Sequence, residues 1–323
     1  MGDLSGKLAF VTGATGGIGK AVATALARQG AKVAALGRSA QRVILPPSRG
    51  NVRQRGRCSI WSLHGREASS TIGGAMSAAH FVRDAVILAA GRGTRMKDLT
   101  EEVPKPMLPV AGRPLLEHIV LTLRSAGVER FVMITGYRAE TIEDHFGDGA
   151  RLGVEILYRR QEVRDGTAKA LLLARDAIGG RDFLLGWGDI LAEPKNYPAL
   201  LDAFTSKRCD GVLAVNWVED PCRGAAVYVD SDHRIERIVE KPPPGTATTH
   251  WNNAGIGAFR SALFEHAASV KPSSRGEYEI PDAITSMLTA ELRVYAFPLQ
   301  GFWSDVGTPE DLARAEALLT RTS

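Results

Sequence analysis

Residues 86–110 read VILAAGRGTRMKDLTEEVPKPMLPV. The apolar run Val86 to Ala90 has the composition of a buried parallel strand. It breaks at Gly91-Arg92-Gly93-Thr94-Arg95, where two glycines let the backbone approach a ligand and turn N–H groups toward it. Arg95 closes the loop, and Lys105 follows between two prolines that restrict its backbone. A strand, a glycine loop and two fixed cations together suggest a triphosphate site. A G-x-G turn alone carries little information; the whole string is far more specific.

Working outward, the pattern from Asp84 onward is regular. Leu115, Leu116, Ile119, Val120 and Leu123 mark one face of a helix that begins near Pro114 and closes at Gly127. Strands are expected at 131–135, 154–158 and 183–187, with helices at 139–146 and 167–178. Such alternation predicts an α/β fold with a mostly parallel sheet covered on both faces. Beyond Gly211 the strands crowd together at 212–218, 225–229 and 235–239, which predicts a mixed or antiparallel region. A last helix should start at Thr308-Pro309, capped by the threonine with proline in its first position.

The 323 residues are 44% hydrophobic and 24% charged, ordinary for a globular protein. No apolar run approaches the roughly 20 residues of a membrane span, and no charged-then-apolar leader pattern opens the chain. Cys58, Cys209 and Cys222 form no C-x-x-C and leave one unpaired, so reduced thiols in the cytoplasm are expected. The net charge of +4 is unevenly placed: residues 1–83 hold 12 Lys/Arg against 2 Asp/Glu, and the remainder 28 against 34. The segment after residue 83 is therefore acidic, which argues against a nucleic-acid partner.

Residues 7–36 form a separate unit. An apolar strand from Lys7 leads into Thr12-Gly13-Ala14-Thr15-Gly16-Gly17-Ile18-Gly19, a periodic helix and a second strand to Leu36. A glycine turn at a helix N-terminus suits a dinucleotide pyrophosphate. This opening resembles that of the short-chain dehydrogenases/reductases, which would imply an NAD(P)-dependent oxidoreductase. The resemblance stops after Ala40. Residues 41–83 are rich in arginine and lack a clear 3.6 or 2 period, reading as a poorly ordered linker. Asn252-Asn253-Ala254-Gly255 mimics a dehydrogenase motif, but no Tyr-x-x-x-Lys follows it. The expected organisation is a truncated dinucleotide-binding fragment (1–40), the linker (41–83) and a catalytic domain (84–323), with Met76 as a natural start.

L-A-A-G-x-G-T-R-M followed by P-K-P-M-L-P-V resembles the signature of the sugar-1-phosphate nucleotidyltransferases, and the resemblance runs from about Asp84 to about Leu319. It implies a Rossmann-like fold of the nucleotide-diphospho-sugar transferase type. The implied reaction moves a nucleoside monophosphate from a triphosphate to a sugar 1-phosphate, and its cofactor is Mg2+. By that resemblance Leu88, Ala89, Ala90, Gly91, Gly93 and Thr94 lie along the nucleotide. Arg95 neutralises the β- and γ-phosphates, and Lys105 bridges the α-phosphate and the sugar phosphate. Gln161 reads a pyrimidine edge, favouring uridine or thymidine, with Gly166 and Thr167 against the base; a helix cap by Thr167 is the local alternative. Asp189 and Asp305 are the implied metal ligands. Gly224, Glu240, Lys241 and Asn253 face the sugar phosphate. Trp187 and Arg223 depart from the usual residues near the sugar, so its identity stays open, as does the oligomeric state. No left-handed β-helix acyltransferase domain is expected after the last helix. A non-catalytic nucleotide-sugar-binding regulator is the remaining alternative, opposed by the full set of charged residues.

Overall fold

The computed structural model describes residues 8–12, 25–26, 32–36, 82–93, 96 and 100–322. The chain separates into two units, Met1–Met76 and Ser77–Ser323. In the first, β1 (Leu8–Thr12) pairs in parallel with β2 (Lys32–Leu36), and Ala25 and Leu26 between them are helical. The linker reading of 41–83 falls outside the described residues, save for Val82 and Arg83.

The second unit opens with β3 (Asp84–Leu88), followed by the two-residue strands β4 (Pro109–Val110) and β5 (Arg113–Pro114). Next come α1 (Leu115–Ser125), β6 (Arg130–Thr135), α2 (Ala139–Phe146) and β7 (Glu155–Arg160). Then follow α3 (Thr167–Leu172), α4 (Arg175–Ile178), β8 (Phe183–Trp187), β9 (Leu191–Ala192) and α5 (Asn196–Lys207). Four strands succeed them: β10 (Gly211–Trp217), β11 (Ala225–Val229), β12 (Ile235–Glu240) and β13 (Trp251–Phe259). The chain closes with α6 (Ala262–Ser269), α7 (Ile280–Thr289), β14 (Val294–Pro298), β15 (Trp303–Ser304) and α8 (Pro309–Thr322).

Among the described residues, nine strands form one mixed sheet. β8, β3, β6 and β7 lie side by side in parallel. β13 joins β8 antiparallel and pairs along its other edge with β10, while β11 and β12 extend the sheet as an antiparallel pair. Every residue of β3 is buried, and its side chains divide by parity between two cores. Ala85 and Ile87 face one formed with α1, α2 and α5; Val86 and Leu88 face another formed with α3, α6 and α7. Each buried Leu, Ile or Val side chain contributes about 1.5–3 kcal/mol. The expected two-sided sheet is the one observed, and α1 and α2 begin where proposed. Thr308 and Asp311 cap α8 reciprocally: the Thr308 N–H donates to Asp311 Oδ2 (2.9 Å) and the Asp311 N–H to the Thr308 hydroxyl (3.2 Å).

One element differs. The single helix expected over 167–178 is two, because Leu173 and Ala174 donate their N–H groups to Ala170 and Leu171, three residues back. That tightening closes α3 before α4 starts. Buried Leu171, Ala174 and Ile178 keep helical spacing across the break, which is why the sequence reads as continuous.

The sheet is pinned at its far end by Asp84. Its buried carboxylate accepts paired hydrogen bonds from Arg130 (2.9 and 2.7 Å) and Arg181 (3.0 and 3.1 Å). Burial would raise this carboxyl, but the two guanidiniums outweigh it and hold it below its ordinary value of 3.8. The stabilisation is then complete above that ordinary value and is lost as pH falls through the still lower folded one. Replacing Asp84 by Asn should cost about 2–3 kcal/mol, since it leaves two cations without their anion. Melts of the wild type and Asp84→Asn between pH 3 and 7 should differ most at neutral pH and converge in acid; parallel curves would refute the clamp.

Candidate active site

The C-terminal ends of β8, β3, β6 and β7 form one edge, where α/β sheets bind ligands. Trp187 pairs with Leu88, the Gly188 N–H donates back to the Leu88 carbonyl (2.9 Å), and Gly188 packs on Ala89 and Pro106, so Asp189 emerges at the C-terminal end of β3. The Gln161 N–H donates to the Thr135 carbonyl (2.8 Å), placing Gln161 at the same edge. β15 pairs with β9 just after Asp189 and so brings in Asp305 from the far end of the sequence. The Trp303 indole N–H fixes this segment by donating to the Ala254 carbonyl (2.9 Å), next to Asn253.

Lys105 occupies the centre. It starts a one-turn 3-10 helix, and its side chain is only 8% exposed. Its ammonium donates to Asp189 Oδ2 at 2.6 Å and to the Asp305 backbone carbonyl at 3.1 Å. Lys105 is thus a buried, partnered cation rather than a solvated loop residue. Arg95 and Thr94 lie outside the described residues. The other loop arginine, Arg92, sits over the Tyr137 ring at 5.4 Å, and the Tyr137 hydroxyl donates to the Thr100 and Glu101 carbonyls.

Among the described residues no group of three or more His, Cys, Asp or Glu could hold a metal ion. The chain would supply two carboxylates, Asp189 and Asp305. Both are hard oxygen donors, and among the described residues none gives a hydrogen bond to Asp189 Oδ1 or to the Asp305 carboxylate. This fits a divalent ion such as magnesium, which takes one or two carboxylates and completes its shell with phosphate and water.

A second polar centre lies where β12 ends. Glu240 pairs with Ala225, and the Lys241 N–H donates to the Gly224 carbonyl (2.7 Å). Gly224 packs directly on buried Asn252, whose amide donates to Asn216 Oδ1 and to the Asn253 carbonyl, both at 2.9 Å. Burial, reinforced by the charge of Glu279, pushes the Glu240 carboxyl up to about 7 against the opposing charges of Lys241 and Arg275. Arg275 reaches Glu240 at 3.5 Å and pairs with Glu279. Sequence reasoning missed Arg275, Asn216, Asn252 and Glu279. For Arg275 and Glu279 the available signal was the turn Arg275-Gly276 followed by alternating acids ahead of a helix.

Gln161 donates its side-chain amide to the Gly166 carbonyl (3.0 Å) and to Asp165 (3.3 Å). The proposed cap by Thr167 is corrected: Gly166 stands at the cap of α3, while the Thr167 hydroxyl accepts from the Ile280 N–H (3.0 Å). Gly166 has φ +123, and a Cβ there would lie 2.2 Å from the Tyr278 carbonyl oxygen.

A nucleotidyl transferase profile matches residues 84–322, and a short chain dehydrogenase profile matches residues 7–49. The chain belongs to the nucleotidyl transferase family. This nucleotidyl transferase is 37% identical over 239 residues to the UTP–glucose-1-phosphate uridylyltransferase AglF of Haloferax volcanii, covering 73% of this chain and 96% of AglF. It is 36% identical over 232 residues to the bifunctional protein GlmU of Methanococcus aeolicus, covering 72% of this chain and 53% of GlmU. The chain thus spans about half the length of the GlmU relatives it matches. Among solved structures it resembles a Bacillus anthracis protein described as a glucose-1-phosphate thymidylyltransferase in complex with a sucrose. That likeness has TM-score 0.66 and 30% identity, over 73% of this chain and 94% of the other. A UDP-glucose pyrophosphorylase complexed with UDP-glucose shares the fold at TM-score 0.68 and 23% identity, over 75% of this chain and all of the other.

Gly166→Ala should cost about 2–4 kcal/mol, because both the backbone angle and the Tyr278 contact must give way. Thermal melts check this; an unchanged melting temperature would show that the turn has slack.

Proposed function

We propose that this nucleotidyl transferase joins a nucleoside monophosphate from UTP or dTTP to a sugar 1-phosphate and releases pyrophosphate. The observation that carries the reading is the convergence of Lys105, Asp189 and Asp305 at the ligand edge of the sheet. Glucose 1-phosphate is the first sugar to try, since the names of AglF and of the Bacillus anthracis protein both specify it.

The chemistry needs little beyond charge and position. A sugar-phosphate oxygen bonds to the α-phosphorus while the α–β bridging bond breaks, and its electron pair leaves with pyrophosphate. A phosphate monoester has a second pKa of about 6, so the nucleophile is anionic at neutral pH and needs no general base. Lys105 would neutralise the α-phosphate and hold the incoming phosphate, and Arg95 would act on the β- and γ-phosphates. Asp189 and Asp305 would hold Mg2+, which supplies positive charge to the phosphoryl oxygens. Leu88, Ala89, Ala90, Gly91, Gly93 and Thr94 would follow the nucleotide. Gln161 would present its amide to a pyrimidine edge, beside Gly166 and Thr167. Glu240, carrying a proton over part of the neutral range, would both donate to and accept from sugar hydroxyls, with Lys241, Gly224 and Asn253 near the sugar phosphate.

We also propose that residues 84–323 form the catalytic unit and that the protein works in the cytoplasm. Among the described residues no helix is long and apolar enough to cross a membrane.

The deciding measurement is pyrophosphate release across the four triphosphates and a set of sugar 1-phosphates, for the full chain and for one starting at Met76. Both forms should be active with Mg2+, most strongly with UTP or dTTP. Asp189→Asn and Asp305→Asn should each lower kcat by at least about a hundredfold, and the double variant little further, because both disable one ion. Near-normal turnover in either single variant would remove that residue from the site, and no release from any substrate pair would sink the proposed reaction. Gln161→Ala should flatten the preference among bases more than it lowers kcat, since each complementary hydrogen bond is worth about 1–3 kcal/mol. Selectivity identical to the wild type would refute its role.

A further inference from the structure

The side chain of Lys105 is nearly sealed from solvent, yet it touches both proposed metal carboxylate residues. Its ammonium lies 2.6 Å from Asp189 Oδ2, a charge-assisted hydrogen bond that already sets a positive charge against this carboxylate, while Oδ1 accepts no hydrogen bond among the described residues. It also holds the Asp305 backbone at 3.1 Å, so one cation fixes the two residues relative to each other. The lysine stem has little freedom to withdraw. Pro104 and Pro106 flank its backbone, and Gly93, at φ +67, packs so closely that a Cβ there would lie 2.8 Å from Lys105 Cβ. Only the end of the side chain can move.

We propose that Lys105 is the resident cation of the divalent-metal site: without nucleotide its ammonium occupies Asp189 and competes with the metal. This rests on the reading of Asp189 and Asp305 as metal ligands. The physical reason is charge: a divalent ion entering beside Asp189 meets a monovalent cation already neutralising that carboxylate, in a poorly solvated place where repulsion is weakly screened. A bound triphosphate removes the conflict. Its oxygens offer the ammonium a new anionic partner, so Lys105 turns from carboxylate to phosphate and Asp189 meets the divalent ion with its full negative charge. Lysine thus has two successive anions, and metal affinity is coupled to nucleotide binding through one side chain.

The test uses Mn2+ as the probe, with free ion followed by electron paramagnetic resonance on the full-length protein. Without nucleotide, Lys105→Met and Lys105→Gln should each bind Mn2+ about tenfold more tightly than the wild type, or better, once the competing charge is gone. Adding Asp189→Asn to Lys105→Met should abolish the gain. A UTP analogue with a non-cleavable α–β bridge should tighten Mn2+ binding more in the wild type than in either variant, and melts of each confirm that it is folded. Equal or weaker Mn2+ binding by both folded variants would overturn the competition. If the wild type still releases pyrophosphate in that case, the proposed reaction stands and only this inference falls. Absence of Mn2+ binding by every form, with or without the analogue, would overturn both the inference and the metal assignment beneath it.

Discussion

A strand with no water on either side can carry polar groups only at its ends, and β3 obeys that rule. All five of its residues are buried, and alternate side chains feed two separate cores. Its first residue, Asp84, sits in a cage of two guanidiniums. Its last, Leu88, gives way to the glycine loop and to the bond that sets Gly188 in place. The neighbouring strands are registered against this one, so the position of Asp189 follows from the pairing of Leu88 with Trp187. The edge where Lys105 meets its partners is thus a consequence of how the central strand is buried.

Two centres of opposite electrostatic character share that edge. Around Lys105, a buried cation is matched by a carboxylate and a carbonyl. Around Glu240, acids outnumber their partners: Glu240, Glu279 and Asp282 gather about Lys241 and Arg275, and burial raises both Glu240 and Asp282. The first centre suits phosphate chemistry, in which negative charge must be absorbed. The second suits neutral hydroxyls, which a half-protonated carboxyl meets as donor or acceptor.

Most of the architecture was legible because the relevant segments are locally consistent. β3, β6 and β8 are runs of apolar residues, and α1 shows a clean helical stripe between Pro114 and Gly127. β13 was concealed by its composition: Trp251-Asn252-Asn253-Ala254-Gly255-Ile256-Gly257 contains residues that strands usually avoid. Here the asparagines bond across to Asn216 and back to Gly255, and the glycines admit close neighbours. The helices α5 and α7 carry an early proline, which reads as a breaker but is tolerated in a first turn. Lys105, Asp189 and Asp305 could be named through the family resemblance, but not their mutual contact. Spacings of 84 and 200 residues carry no information about which carboxylate a lysine will find. Arg275 and Glu279 belong to a loop whose importance arises only once α7 folds back beneath Glu240.

The Asp84 cage has a further consequence for how this sequence can change. It lies at the opposite end of the five-residue β3 from the glycine loop. Rigidity there is gained without tightening anything that must open for a substrate. Proteins often trade turnover against robustness because the same residues serve both. In this chain the two demands fall on different termini of one strand, so selection can adjust the tolerance of the sheet to heat or acid while leaving the chemistry of the far edge alone. Substitutions that accumulate around Arg130 and Arg181 are the natural places to look for adaptation to habitat, and those around Lys105 for adaptation to substrate.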